Sequence, residues 1–438
     1  MTGQLQQGIY YLARSAPGNS FAVVFLRANT GCESMKVRQT LSNLWKMYLK
    51  LQEGTVVDLE SKTTSRYHGN LTVLIGYGAG IFDIKGIQKP RPVYLANNWL
   101  FQQPNSNGGG PIIEDVGLTY ANDVTSNDIL NDHIIIQFIG DSQMVTHRAI
   151  VETWKVLRKA ERDTLCAPMI MRSFYTGFNR PDNRSWLGFH DGLSNIRSSD
   201  RYSTISIDKS ELQSEDFWTT GGTYLAFLRI TINLSNWESI PVKLQERIVG
   251  RDKATGCPLI GIDQNDINIL AKGCPVRGTF EVTDDGNEYF RDYQQDFQKK
   301  IFSNQDTDLE KSHMGRIRRT YDISNRIHLS GRSRIFRQGY EFLEPLEKYP
   351  FFRVGLNFVS FQGGTDRIYK IVKYGLARAN FGGGCTNTIW EADNLLSVRG
   401  AGLFLVPPVQ REEEFPGEVI FTKNPNMSDV GTRSVRYR

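Results

Sequence analysis

Three side chains in this sequence have types and surroundings suited to chemistry. Asp191 sits in SWLGFHDGLSN (185–195), between Gly188 and Gly192, in a segment with neither helical nor alternating patterning. Glycines let backbone come close to a ligand, so the segment reads as a constrained turn presenting a carboxylate. Arg337, in RSRIFRQGYEF (332–342), adjoins Ile335 and Phe336. That setting suits a guanidinium on a pocket wall, aimed at an anion or a developing oxyanion. His313, in KSHMGRIRR (311–319), precedes a basic run. The chain has only six histidines, and His68, His133, His147 and His328 fall in segments that read as loop, strand edge or helix surface. His313 has no second histidine at the spacing that zinc or non-haem iron requires.

Each of the three also has a plainer reading when taken alone. Asp191 could cap backbone amides in an Asx-turn, His313 could be a hydrogen-bonded surface histidine, and Arg337 could be one half of an ion pair. A single imidazole is nevertheless enough for an iron whose other four nitrogens come from a macrocycle.

The elements that must hold these residues alternate along the chain. Residues 20–27 (SFAVVFLR), 71–78 (LTVLIGYG) and 133–141 (HIIIQFIGD) read as strands. Residues 35–52 and about 143–159 carry apolar residues at helical spacing. Residues 221–234 and 355–362 are further strands, with SNW (235–237) as a break before helix-like 240–249. Residues 365–377 form an amphipathic helix, and 401–408 a last strand stopped by proline. The polar, glycine-rich 102–128 reads as a surface excursion. Strand–helix–strand units in each half imply an α+β fold of two ferredoxin-like sandwich domains. The expected boundaries are an N-terminal domain over 1–165, a connecting segment with the Asp191 turn over 166–220, and a C-terminal domain over 221–438. The halves share no visible sequence repeat, so a duplication rests on element order.

Composition narrows the class. With 39% hydrophobic and 23% charged residues in 438, the chain reads as a globular protein. No run approaches the roughly 18 apolar residues that span a bilayer, and the N-terminus lacks the pattern of an export signal. Five scattered cysteines without a CxxC pair indicate neither a zinc site nor a disulfide framework. Reduced thiols of this kind fit a cytoplasmic protein. A net charge of +5 is mild for this length, so no nucleic-acid or membrane partner is expected. The arginines at 316, 318 and 319 and at 332, 334 and 337 are available for anion contacts.

Order and company bind these features together. QLQQGIYY (4–11), LTVLIGYGAGIFD (71–83), HIIIQFIGD, GFHDG (188–192), YLAFLRITINLSNW (224–237), QERIVGRDKATGCPL (245–259), SHMGR (312–316), RIFRQGYEF (334–342), GLNFVSFQ and GLFLVPP (402–408) follow one another. In that sequence they resemble the dye-decolorising peroxidase family, the DyP-type haem peroxidases, from about residue 4 to 420. The resemblance implies two ferredoxin-like domains of the dimeric α+β barrel type, with one haem b per chain. It implies His313 as the axial iron ligand, Asp191 as proton shuttle, and Arg337 as the cation facing peroxide. Gly188, Phe189, His190 and Gly192 would border the cofactor. Hydrogen peroxide and an organic reducing substrate are then the small-molecule partners, and a homo-oligomer is compatible with the sequence.

Three positions depart from the family pattern. RIRR (316–319) can be aligned with Arg316 at the ligand position, but arginine stays protonated and cannot bind iron. Ile196 stands where a proline is common, and GYEFLEP follows Arg337 in place of glycine–tyrosine–proline–tyrosine. Two other readings share the scaffold: a haem-dependent tailoring enzyme of secondary metabolism, and a non-catalytic haem-binding or haem-free homologue.

Overall fold

The computed structural model describes residues 4–9, 18–55, 68–96, 129, 132–164, 167–180, 182, 184–190, 196, 198–254, 256, 259, 312–315, 334–371 and 395–422. Its first half comprises β1 (Ser20–Ala28), α1 (Ser34–Gln52), β2 (Thr72–Gly78), α2 (Val93–Ala96), β3 (Ile134–Gly140), α3 (Gln143–Thr164) and β4 (Met169–Phe178). The second comprises α4 (Ser198–Ile205), β5 (Thr223–Ile232), α5 (Leu234–Ser239), α6 (Val242–Val249), β6 (Phe336–Pro345), β7 (Phe352–Gln362), α7 (Thr365–Lys370) and β8 (Leu396–Val406).

The eight strands close into one barrel in the order β1-β3-β2-β8-β5-β7-β6-β4. Within it, β4-β1-β3-β2 and β8-β5-β7-β6 carry the same fourth-first-third-second order. The fold is α+β, built from two ferredoxin-like halves, and the duplication inferred from element order is visible as this repeated topology. The halves meet at two seams. At one, β2 pairs with β8 through Tyr77↔Leu405 and Gly78↔Phe404; at the other, β4 pairs with β6 at Phe178↔Glu341.

Strand alternation sorts the side chains. Along β1, Phe21, Val23 and Phe25 enter the barrel, while Ala22, Val24 and Leu26 face outward. Both sets are buried, which explains why β1 and β3 read as nearly continuous apolar runs. Inside, Phe25 meets Phe227 edge-to-face with centroids 5.2 Å apart, joining the two halves. Outside the first half, α1 and α3 cover the sheet, and Tyr48 shares a 2.8 Å hydrogen bond with Thr153 between them. Two polar side chains in the interior are joined: Gln338 Nε2 donates to Gly8 O at 2.6 Å, and Gln137 Nε2 to Gln338 Oε1 at 3.2 Å.

The strands and helices expected at 20–27, 35–52, 71–78, 133–141, 143–159, 221–234 and 355–362 are present. SNW is not a break. It lies in α5, which Asn233 caps by accepting Asn236 N. The strand expected at 401–408 begins earlier, at Leu396, and ends before Pro407. The helix expected over 365–377 is described through Lys370, and 102–128 and 372–377 lie outside the described residues. β4 opens the segment expected to connect the halves, and pairs with β1 along nearly its whole length.

One reading is corrected. Cys32 is disulfide-bonded. The thiols are therefore not all reduced. Among the described residues, no helix is long and apolar enough to cross a membrane.

Candidate haem site

The site is assembled on the outer side of the second half. α6 ends at Gly250, whose φ of +83° suits glycine and closes the helix in the left-handed conformation. Any side chain here would also collide with the next segment, because a Cβ would lie 2.5 Å from Ser312 Oγ. This close approach seats the short turn Ser312–Gly315 against the end of α6. Ser312 Oγ accepts Gly315 N at 3.1 Å and so shapes the turn that carries His313. Arg251, the next residue after the cap, is buried and donates to Gly256 O at 2.7 Å and to Met314 Sδ at 3.3 Å.

His313 is partly exposed as a residue, but its Nδ1 is buried. Burial pushes the imidazole down to about 3, and the positive charges of Arg337 and Arg251 push the same way. The ring is therefore neutral at any ordinary pH, the state in which a nitrogen lone pair can bind a metal. Arg337 lies on β6 opposite Ser360 of β7. Its neighbour Gln338 points into the barrel, so alternation turns Arg337 outward, to the side where His313 feels its charge.

The glycine-bracketed turn is held on two sides. Arg184 pairs with His190 as an isolated bridge, Ser185 N donates to Phe189 O at 2.9 Å, and Gly188 N to Ser185 O at 2.8 Å. Gly188 has φ +85°, and a Cβ there would strike Lys253 Cε at 2.5 Å. The Arg184 guanidinium donates to Gly188 O and Lys253 O, both at 2.7 Å, and to Ala254 O at 2.8 Å. It also lies 3.1 Å from His190 Nε2. Burial, then the Arg184 charge, lowers the His190 pKa. Its Nδ1 is buried and has no hydrogen-bond partner among the described residues.

The other support comes from β6. Glu341, on the same strand face as Arg337, accepts a hydrogen bond from Trp186 N, and Trp186 Nε1 donates to Phe342 O at 3.1 Å. The departure GYEFLEP thus has a structural use, since its glutamate ties the turn to the strand bearing Arg337.

The structure therefore brings Gly188, Phe189 and His190 together in one turn, and sets His313 within electrostatic reach of Arg337. Asp191 and Gly192 follow His190 directly but lie outside the described residues, as does Arg316. Arg184, Arg251 and Lys253 were not singled out from sequence. Their signal was the polar spacing of QERIVGRDK, and an arginine six residues ahead of His190.

Comparison with known proteins agrees with this architecture. The family model Dyp-type peroxidase, C-terminal, matches residues 182–411, more than half of the 438. The chain belongs to the Dyp-type peroxidase family. A DyP-type peroxidase from Cellulomonas bogoriensis superimposes with a TM-score of 0.64 at 18% identity, covering 96% of this chain and 97% of that one. Ferric DtpA from Streptomyces lividans gives 0.65 at 19% identity, covering 96% and 98%. Deferrochelatase of Escherichia coli strain UTI89 is 28% identical over 200 residues, 45% of this chain and 43% of that protein. The chain thus matches less than half the length of that curated relative.

Proposed function

We propose that this protein is a haem peroxidase that uses hydrogen peroxide to oxidise an organic substrate, with one haem b per chain. The observation that carries the reading is His313: an imidazole kept neutral by burial and two arginines, on a turn clamped to the end of α6. The donor chemistry fits haem, which needs one neutral nitrogen from the protein and supplies the other four. When bound, haem supplies the redox centre between peroxide and the reducing substrate.

The chain's own residues divide the remaining work. His313 would hold the iron through a neutral ring nitrogen, from the turn seated against the end of α6. Asp191 takes a proton from one peroxide oxygen and returns it to the other, which readies the O–O bond for unequal cleavage. Arg337 steadies the negative charge that gathers on the departing oxygen, more strongly where water is excluded. Gly188, Phe189, His190 and Gly192 would border the cofactor. The glycines there allow close backbone approach.

The visible spectrum of the purified protein tests this directly. A Soret band in the wild type that is lost in His313→Ala is the expected result. A normal band in that variant would remove His313 as ligand. Absence of any band after reconstitution with haem would remove the peroxidase reading itself.

A further inference from the structure

The segment Gln245–Gly256 touches both sides of the site. At Gly250 and Arg251 it packs on the Ser312–Gly315 turn. Three residues later its backbone carbonyls at Lys253 and Ala254 receive the Arg184 guanidinium, which also holds Gly188 O and His190. Lys253 is fixed in turn: its N donates to Glu246 Oε1 at 3.0 Å, and its Nζ to Gln245 Oε1. The same ammonium lies 5.7 Å from the Phe189 ring centre and 5.9 Å from that of Trp237. Trp237 Nε1 donates to Leu187 O at 3.1 Å, and Gln245 Nε2 to Trp237 O at 2.8 Å.

We infer that Gln245–Gly256 is a bracket that sets the separation between the Asp191 turn and the His313 turn, with Arg184 and Lys253 as its positioning residues. Neither needs to touch the reacting atoms. Arg184 acts by locking the backbone and the ring immediately before Asp191, and Lys253 by filling the space beneath Gly188 that only a glycine leaves open. A planar fork with several donors is suited to this, because it meets three carbonyls and an imidazole in one geometry. Two turns built on one short stretch keep their spacing even where the intervening chain is long. The inference rests on the peroxidase reading for its chemical meaning.

Haem-loaded wild type, Arg184→Ala, Arg184→Lys and Lys253→Met are mixed rapidly with hydrogen peroxide across a pH series. In parallel, amide hydrogen exchange is followed by mass spectrometry over 184–195 and 312–316. The expected result is a fall of about 100-fold in the peroxide rate per haem for Arg184→Ala, as for a reacting group displaced by about 1 Å. The pH midpoint moves with it, while the Soret band is retained. Exchange quickens in both segments but not in α1, free guanidinium ion restores part of the Arg184→Ala rate, and Arg184→Lys recovers little. Lys253→Met gives the same pattern more weakly, and decides the matter if Arg184→Ala does not fold. An unchanged per-haem rate and pH midpoint in the variants would overturn the bracket, as would faster exchange confined to 184–195. A wild type without a Soret band or any reaction with peroxide would instead show the peroxidase reading to be wrong, and the exchange measurement would still decide whether the two turns are mechanically joined.

Discussion

In the first half-barrel, the outward face of the sheet lies under α1 and α3, which are 19 and 22 residues long. In the second, the described helices are at most 8 residues long. The buried residues on that outward face include Ser360, Gln362 and Glu341. The same strand order is thus put to two uses. Long amphipathic helices seal the first face with leucines, valines and isoleucines, and none of the residues assigned to the chemistry lies there. Short helices and glycine turns cover the second, where backbone amides, arginines and a neutral histidine converge. A duplicated fold can keep one copy for stability and leave the other's face for chemistry.

That contrast can be broken most directly by Arg337→Ala. Its peroxide rate, measured by stopped flow per bound haem, is expected to fall by about 10²–10³. Asp191→Ala is expected to lie in a similar range, and an unchanged rate in both would dismiss the distal assignment. Leu44→Ala, in the helix-covered face of the first half, should behave oppositely. Leu44 is fully buried, so its removal is expected to cost about 2–5 kcal/mol in denaturant unfolding with the per-haem rate unaltered. A loss of rate without loss of stability would show that the first half is not silent.

The seam between β4 and β6 supplies a smaller effect. Arg229 is buried there, with its guanidinium 3.7 Å from the Phe342 ring centre and 4.1 Å from that of Tyr175. It donates to Asn357 Oδ1 at 2.6 Å and pairs with Glu344. Arg229→Met keeps much of the stem but leaves those acceptors unmet, at an expected cost of about 1–3 kcal/mol. The smallest effect falls on Glu413 beyond β8, where burial raises the carboxyl from 4.5 to about 7 although Val419 N and Gly417 N donate to it. Because the folded pKa is the higher one, its favourable contribution is complete below pH 4.5 and is lost as pH rises through about 7. Glu413→Gln should therefore flatten this dependence and raise the melting temperature at pH 8 by a few degrees. Equal curves for both proteins at pH 5 and pH 8 would refute it.

How much of this could be read beforehand differed by element. β1, β3 and β5 were legible because a barrel strand buried on both sides is apolar throughout. β4 was not, since MIMRSFYTGF leaves Ile170 and Phe174 exposed and carries Arg172, so neither periodicity nor hydrophobicity marks it. β6 was legible only as the setting of Arg337, its pattern interrupted by Gln338 facing inward and Glu341 held by Trp186. Asp191 and His313 were nominated by residue type and company. Arg184 escaped because three of its partners are backbone carbonyls, those of Lys253 and Ala254 being 69 and 70 residues away, and main-chain acceptors leave no trace in side-chain spelling. The disulfide at Cys32 escaped because spacing alone does not say which cysteines meet.

The ring of eight strands has a bearing on how the chain must be made. Either half alone would end in two naked strands, β2 and β4 in the first, β6 and β8 in the second. Such borders invite pairing with any neighbouring chain. Within one polypeptide they find each other instead, but only after β6 and β8 have been synthesised. Until then the finished first half is an open sheet with sticky margins, dependent on its own continuation, or on a chaperone, to avoid polymerising.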